Sequence, residues 1–289
     1  MRFSGHETFV CKQSWLRKGY NFLNNQKKFS SDSAVIDLGV GKNMVSSIAY
    51  WMKSFNLCDD KWELTSVAHY IFDDKGKDPY LEDLGTLWLL HYYLIKNNYA
   101  SIYNLFFNGF RKKHSLAFSE NQLHEYLKKE AELIGLYNQK TIDNDISVFR
   151  RMYIEPKIED GDIEDVYSSI FSELALLTKA SIDEKNKKEI GYNITYETRN
   201  NLASEIVLFT ILDQFQYKDS ISINFNDLIG GYNSPGLIFS LSREGLMLII
   251  DDLLLKYPSI TYSSTAGLQI LQISEQLSKW TVLNNYYDK

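Results

Sequence analysis

Residues 30–57 read SSDSAVIDLGVGKNMVSSIAYWMKSFNL, and their punctuation decides the fold. The serines and Asp32 are placed to cap a helix, and Ala34, Val35, Ile36 and Leu38 give it an apolar run before Gly39 breaks it. After the turn Gly39-Val40-Gly41, the residues Val45, Ile48, Ala49, Met52 and Phe55 recur at helical spacing. That spacing leaves Lys42, Asn43, Ser46, Ser47 and Tyr50 on the opposite side. A short helix, a glycine turn and a longer amphipathic helix make a helix-turn-helix. Downstream, LCDDKWELT (57–65) alternates like two short strands around Asp59-Asp60-Lys61, and SVAHYIF (66–72) closes the segment as a short helix. The hairpin therefore reads as a wing.

A recognition helix enters the major groove by its N-terminal end, where basic and small polar side chains meet phosphates and base edges. Lys42, Asn43, Ser46, Ser47 and Tyr50 are the candidates of that kind. Lys61 stands in the wing, and Lys12, Arg17 and Lys18 lie upstream. The stretch LGVGKN resembles a phosphate loop only superficially: that motif needs glycine where Ile36 stands and serine or threonine where Asn43 stands. Nucleotide binding is excluded on both counts.

Charge supports the same end of the chain. The net charge is −6, yet residues 1–115 carry 15 Lys/Arg against 11 Asp/Glu, whereas residues 116–289 carry 16 against 26. Within residues 1–56 there are eight basic and three acidic residues, so a polyanion would be met there. The 44% hydrophobic and 24% charged residues are those of a globular protein, and four prolines with fifteen glycines favour helix over long coil. Cys11 and Cys58 are too few for a disulfide framework or a cysteine-rich zinc site and suit a reducing cytoplasm. No apolar run approaches the ~20 residues that cross a bilayer, and the N-terminus shows no signal-peptide core, so a cytoplasmic protein without a membrane partner is expected.

The middle of the chain reads as helix. DLGTLWLLHYYLIKNN (83–98) sets Leu84, Leu87, Trp88, His91, Leu94 and Ile95 on one side, with His91 expected as a hydrogen-bonded core histidine. FSENQLHEYLKKEAELIG (118–135) carries Ser119 with Gln122 three residues on, a capping pair. A second helix follows from about Thr141 with Ile142, Ile146, Phe149 and Arg150, so a second helix-turn-helix-like unit is expected. Residues 156–190, with IEDGDIED and SIDEKNKKE around SSIFSELALL, read as polar surface connections around a small hairpin or helix. Beyond them, NLASEIVLFTILDQF reads as an amphipathic helix, SINFNDLIGG as a short one, SREGLMLIIDDLLLKYP as a third, and YSSTAGLQILQI as a hairpin. This last unit repeats the winged order but carries Glu244 and Asp251-Asp252 where a DNA reader would carry lysine, so it is expected to bind protein or itself.

Near the N-terminus, FSGHETF (3–9) offers His6 and Glu7 as an acid–base pair, or His6, Glu7 and Cys11 as metal ligands. No further His/Cys pair and no nucleophile accompany them. A clasp asks for less: Gly5 turns the chain, Glu7 and Thr8 begin a helix, and Phe3, Phe9, Trp15 and Leu16 anchor it. No catalytic residue, metal or cofactor is assigned.

Taken together, FSGHETF, WLRKGY (15–20), LGVGKNMV (38–45), PYLEDLGTLWLLH (79–91), FFNGF (106–110) and SPGLIF (234–239) resemble an uncharacterised family of prokaryotic proteins known only as a domain of unknown function. The resemblance implies a genomic setting of DNA modification and phage defence, often beside enzymes similar to phosphoadenosine phosphosulfate reductase of the DNA phosphorothioation type. It carries over no catalytic residues. The expected architecture is mainly α with small β-hairpins: tandem winged helix-turn-helix-like units at 1–78 and 191–289 around a helical middle region at 79–190. The expected function is a non-catalytic, double-stranded-DNA-binding specificity subunit or regulator. The competing reading is an adaptor for modification or defence enzymes encoded nearby, with homo-oligomerisation open to either. An enzyme using His6, Glu7 or Asp251-Asp252 is the third.

Overall fold

In the structure, a computed structural model, helices α1 (Gln13–Asn24), α2 (Ala34–Leu38) and α3 (Lys42–Ser54) open the chain. It describes residues 1–114, 116–154, 169–184, 187–214, 220–265, 267–274 and 277–288. Gly39 sits at φ 65°, the left-handed geometry that only glycine adopts without strain, and the N–H groups of Gly39 and Val40 close on Val35 O. This turn swings α3 away from α2. The hairpin after α3 shrinks to one antiparallel bridge, Cys58↔Leu64, because Asp59 Oδ1 accepts from the N–H groups of Lys61 and Glu63 and folds the segment into a tight turn. Helix α4 (Ser66–Phe72), capped by the Thr65 side chain, closes it as expected.

Helix α5 (Leu84–Asn97) departs from its one-sided pattern and is buried on every side from Gly85 to Ile95. His91 is the core histidine expected, its Nδ1 3.0 Å from Tyr153 Oη. Helix α6 (Ser101–Leu105) runs through a π-helical stretch, Phe106–Phe110, into α7 (Arg111–Lys113). The glycine of FFNGF leaves room for a neighbouring ring there, since a Cβ on Gly109 would lie 2.0 Å from Tyr126 Oη and push that side chain aside. Strand β1 (Ala117–Ser119) leads into α8 (Glu120–Glu132), whose N-terminus has both bonds of the Ser119–Gln122 capping box. Then come α9 (Gln139–Tyr153) and the strands β2 (Thr178–Glu184) and β3 (Lys187–Asn193). Residues 181–184 and 187–189 of the polar stretch therefore lie in the paired strands of a hairpin, and IEDGDIED lies outside the described residues. The antiparallel sheet has the order β1-β3-β2.

The chain divides into two compact units, Met1–Ile194 and Thr195–Lys289, where the sequence suggested three segments. Residues 1–78 and 79–190 share one unit because α3 packs on α5, Lys12 bridges Ser169 and His6 pairs with Asp145.

In the second unit, α10 (Ser204–Gln214) is buried around its whole circumference from Ser204 to Asp213, so the amphipathic reading of this segment fails. The stretch expected as one short helix begins as strand β4 (Ile221–Asn224) before α11 (Phe225–Gly230). Helices α12 (Pro235–Ile238) and α13 (Arg243–Lys256), strands β5 (Ile260–Thr265) and β6 (Leu268–Ile273), and α14 (Lys279–Tyr287) complete the unit. The sheet order is β4-β6-β5. Both units thus contain a strand, helices and a hairpin, with the closing strand in the middle of the sheet. The whole is mainly α with two small antiparallel sheets.

Candidate nucleic-acid interface

The free face of α3 is narrower than its periodicity suggests. Lys42, Asn43 and Ser46 are exposed, whereas Ser47 and Tyr50 are buried. The helix is packed from several directions, by α1, α2 and α5, and the N-terminal stretch lies across Tyr50. A Cβ at Gly5 would stand 2.6 Å from the Tyr50 ring, and Arg2 sits 5.7 Å from its centre. Ser47 and Tyr50 are therefore core residues. On α2 the reverse occurs: Ala34 and Leu38 are buried, but Val35 is half-exposed and Ile36 is 84% exposed.

The upstream cations split by role. Arg17 Nη1 donates to Phe72 O at 3.1 Å and its guanidinium lies over the Tyr80 ring, so it braces α1 against α4. Lys18 is exposed but donates to Leu38 O at 3.3 Å, capping the end of α2. Lys12 is half-buried at the start of α1. Lys61 is exposed in the tight turn. Lys53 lies 4.2 Å from the centre of the Trp62 ring and 3.4 Å from Asp60. Among the described residues Lys42 has no acidic partner, and α3 has no acidic residue in its first turn.

FSGHETF is a clasp, though not the one its sequence suggests. Glu7 (φ 48°) and Thr8 (φ 64°) do not begin a helix; with Ser4 (φ 66°) and Gly5 (φ 111°) they form a tight left-handed turn, and α1 starts only at Gln13. Left-handed geometry costs a non-glycine residue roughly 1–2 kcal/mol, so the turn must be held from outside. His6 does this. Its Nδ1 accepts from the Thr8 N–H at 3.1 Å, which leaves the proton on Nε2 to donate to Asp145 Oδ1 at 2.9 Å. Ser4 N–H donates to the same oxygen at 2.9 Å, and Arg151 Nη2 donates to Thr8 O at 2.6 Å. The imidazole also stacks on Trp51 of α3 at 6.3 Å. Both ring nitrogens are bonded and only 4% of the residue is exposed, whereas Glu7 points to solvent. The clasp ties α3 to α9.

Asp145 and Arg151, the clasp's partners on α9, were not among the expected residues. The signal was present: Asp145 interrupts the buried stripe Ile142, Ile146, Phe149, three residues after its first member. An acid at a core position is informative because it needs a partner there.

Among the described residues no group of three or more His, Cys, Asp or Glu could hold a metal ion. Cys11 and Cys58 are free and buried, and desolvation raises both thiols, Cys58 to about 12. Native protein treated with iodoacetamide at about pH 8 is expected to resist alkylation, because the thiolate is the nucleophile. Both cysteines should react in denaturant. Mass spectrometry of the two samples checks it.

A sequence profile of the family described as "Protein of unknown function (DUF4007)" matches residues 3–287. The chain belongs to that family. Similar solved structures include one described as "SspB crystal structure", with a TM-score of 0.84 and 26% identity, and one described as "Magnesium ion-bound SspB crystal structure", with a TM-score of 0.83 and 25% identity. Each comparison covers 99% of this chain and 88% of the other. No curated protein matches. No helix among the described residues of this DUF4007 member is long and apolar enough to cross a membrane.

Proposed function

We propose that the chain binds duplex DNA through its first unit and acts as a non-catalytic specificity subunit or regulator in a prokaryotic DNA modification or defence system. The observation that carries this reading is the start of α3. Gly41 caps the helix without a side-chain bond, so backbone N–H groups of the first turn are open to an anion, and Lys42, Asn43 and Ser46 stand exposed beside them. The order α2, Gly39 turn, α3 is consistent with a helix-turn-helix, and the order strand, helices, hairpin at residues 117–193 and 221–273, away from α3, is consistent with winged-helix modules. The modification setting is supported by the family resemblance, with which neighbours named SspB are consistent.

A second reading, an adaptor with minor DNA contact, is favoured by the acidic helix α13 of the second unit. A mobility shift of the full chain on phosphorothioate-modified and unmodified duplexes, with and without magnesium, tests the first reading. A supercoiled plasmid incubated in parallel tests the absence of catalysis. Retarded duplex, released as salt rises, and an intact plasmid are expected. Failure of folded protein to retard any duplex at low salt favours the adaptor; a nicked plasmid replaces the non-catalytic role by an enzymatic one.

A further inference from the structure

Helix α13 precedes the hairpin of the second unit, and its two faces differ sharply. Gly245, Leu246, Ile249, Ile250 and Leu253 are buried in the unit's core. On the other side Glu244, Leu248, Asp251 and Leu255 follow at intervals of four, three and four residues, which sets them in one stripe along the helix. All four are exposed, Leu248 at 53% and Leu255 at 87%. An isolated surface leucine is ordinary. Two of them two turns apart, flanked by half-buried Met247 and Leu254 and interleaved with carboxylates, form an amphipathic track that the unit leaves uncovered.

Charge determines what fits it. Residues 195–289 carry six Lys/Arg against ten Asp/Glu. The described cations are engaged within the unit: Lys256 with Glu205 and Asp252, Lys279 with Asp213, Arg199 with Glu197, and Arg243 with Asn226 and Gln269. Glu244 and Asp251 have no such partner among the described residues. Phosphate would be repelled from this track. A second copy docking through α2 and α3 would bring exposed Ile36 beside Lys42, so self-association through this face is the competing occupant, which sedimentation separates from a partner helix.

We propose that the Glu244–Leu248–Asp251–Leu255 stripe is a docking surface for a basic amphipathic helix of a partner protein, apolar residues meeting Leu248 and Leu255 and Lys/Arg meeting the two carboxylates. This mode of recognition lays an amphipathic helix along an apolar track read at helical spacing. It is independent of DNA binding by the first unit.

The test uses the full chain and a labelled synthetic leucine–lysine helix, with a second peptide of equal composition whose leucines are scattered, followed by fluorescence anisotropy. The amphipathic peptide should bind at least about tenfold more tightly than the scattered one, a central apolar contact being worth over about 1 kcal/mol. The double variant Leu248→Asp/Leu255→Asp, and Asp251→Lys separately, should each weaken that binding by about tenfold or more. Their melting temperatures should stay unchanged, since the replaced side chains are exposed. Equal binding of the two peptides, or variants that bind as wild type does, overturns the proposal. So does a concentration-dependent dimer in sedimentation that the double variant abolishes, which would give the stripe to a second copy.

Discussion

His6→Ala is expected to lower the stability of the first unit by about 3 kcal/mol, from the loss of a hydrogen bond to a buried charged group and the exposure of that group's unmet demand. Asp145 is 1% exposed, and its Oδ2 already has no hydrogen-bond partner among the described residues, so losing His6 leaves the carboxylate with the Ser4 N–H alone on Oδ1. The left-handed turn at Ser4, Glu7 and Thr8 loses its anchor at the same time. In a unit of this size that should lower the melting temperature by about 10 °C. Glu7→Ala, one residue along and exposed, should change stability by less than about 0.5 kcal/mol. Thermal melts followed by circular dichroism separate the two. Equal small effects would show that FSGHETF is held by its phenylalanines rather than by the His6–Asp145 bond.

Lys42→Glu should weaken duplex binding at about 50 mM salt by well over tenfold. Neutralising one phosphate releases close to one counterion, which at that salt is worth about a factor of ten in affinity. Reversing the charge adds repulsion to the loss, and the negative side chain would stand in front of the open N–H groups of α3. Because Lys42 is exposed and has no ion-pair partner among the described residues, the fold should be unaffected. Tyr50→Phe gives the contrast: the ring is in the core with 4% exposure, so its hydroxyl should have no direct part in DNA affinity. Anisotropy titrations of both variants against one labelled duplex check the pair.

Much of the fold was legible because local rules and tertiary structure agree. Gly39 had to break a helix, Ser119 and Gln122 had to cap one, and the alternating YSSTAGLQILQI stretch had to pair, as β5 and β6 do. The failures share a cause. Helical periodicity predicts which side of a helix is apolar, but Tyr50 is covered by a segment more than forty residues upstream that lies across α3. The same limit hid Asp145, 139 residues from His6. Helices α5 and α10, packed on all sides, have almost no polar face, and a 3.6-residue stripe can be drawn through any such nearly all-apolar run. Of the expected interface residues, Lys42, Asn43, Ser46 and Lys61 remain exposed, Lys18 is exposed but tied to Leu38, and Arg17 is committed to the fold. What separates them is which carbonyl each cation reaches, and that depends on the packing of α1 against α2 and α4.

The salt dependence of duplex binding by the full chain, measured for wild type and Lys42→Ala over about 50–300 mM salt, tests the assignment of α3 most directly. A lysine that touches phosphate contributes close to one unit to the slope of log affinity against log salt. The slope should therefore fall by about one unit in the variant, with affinity lost evenly across duplexes of different sequence. An unchanged slope and affinity in a variant whose melting curve matches wild type would contradict it, and α3 would then be a packing helix whose exposed end meets something other than DNA.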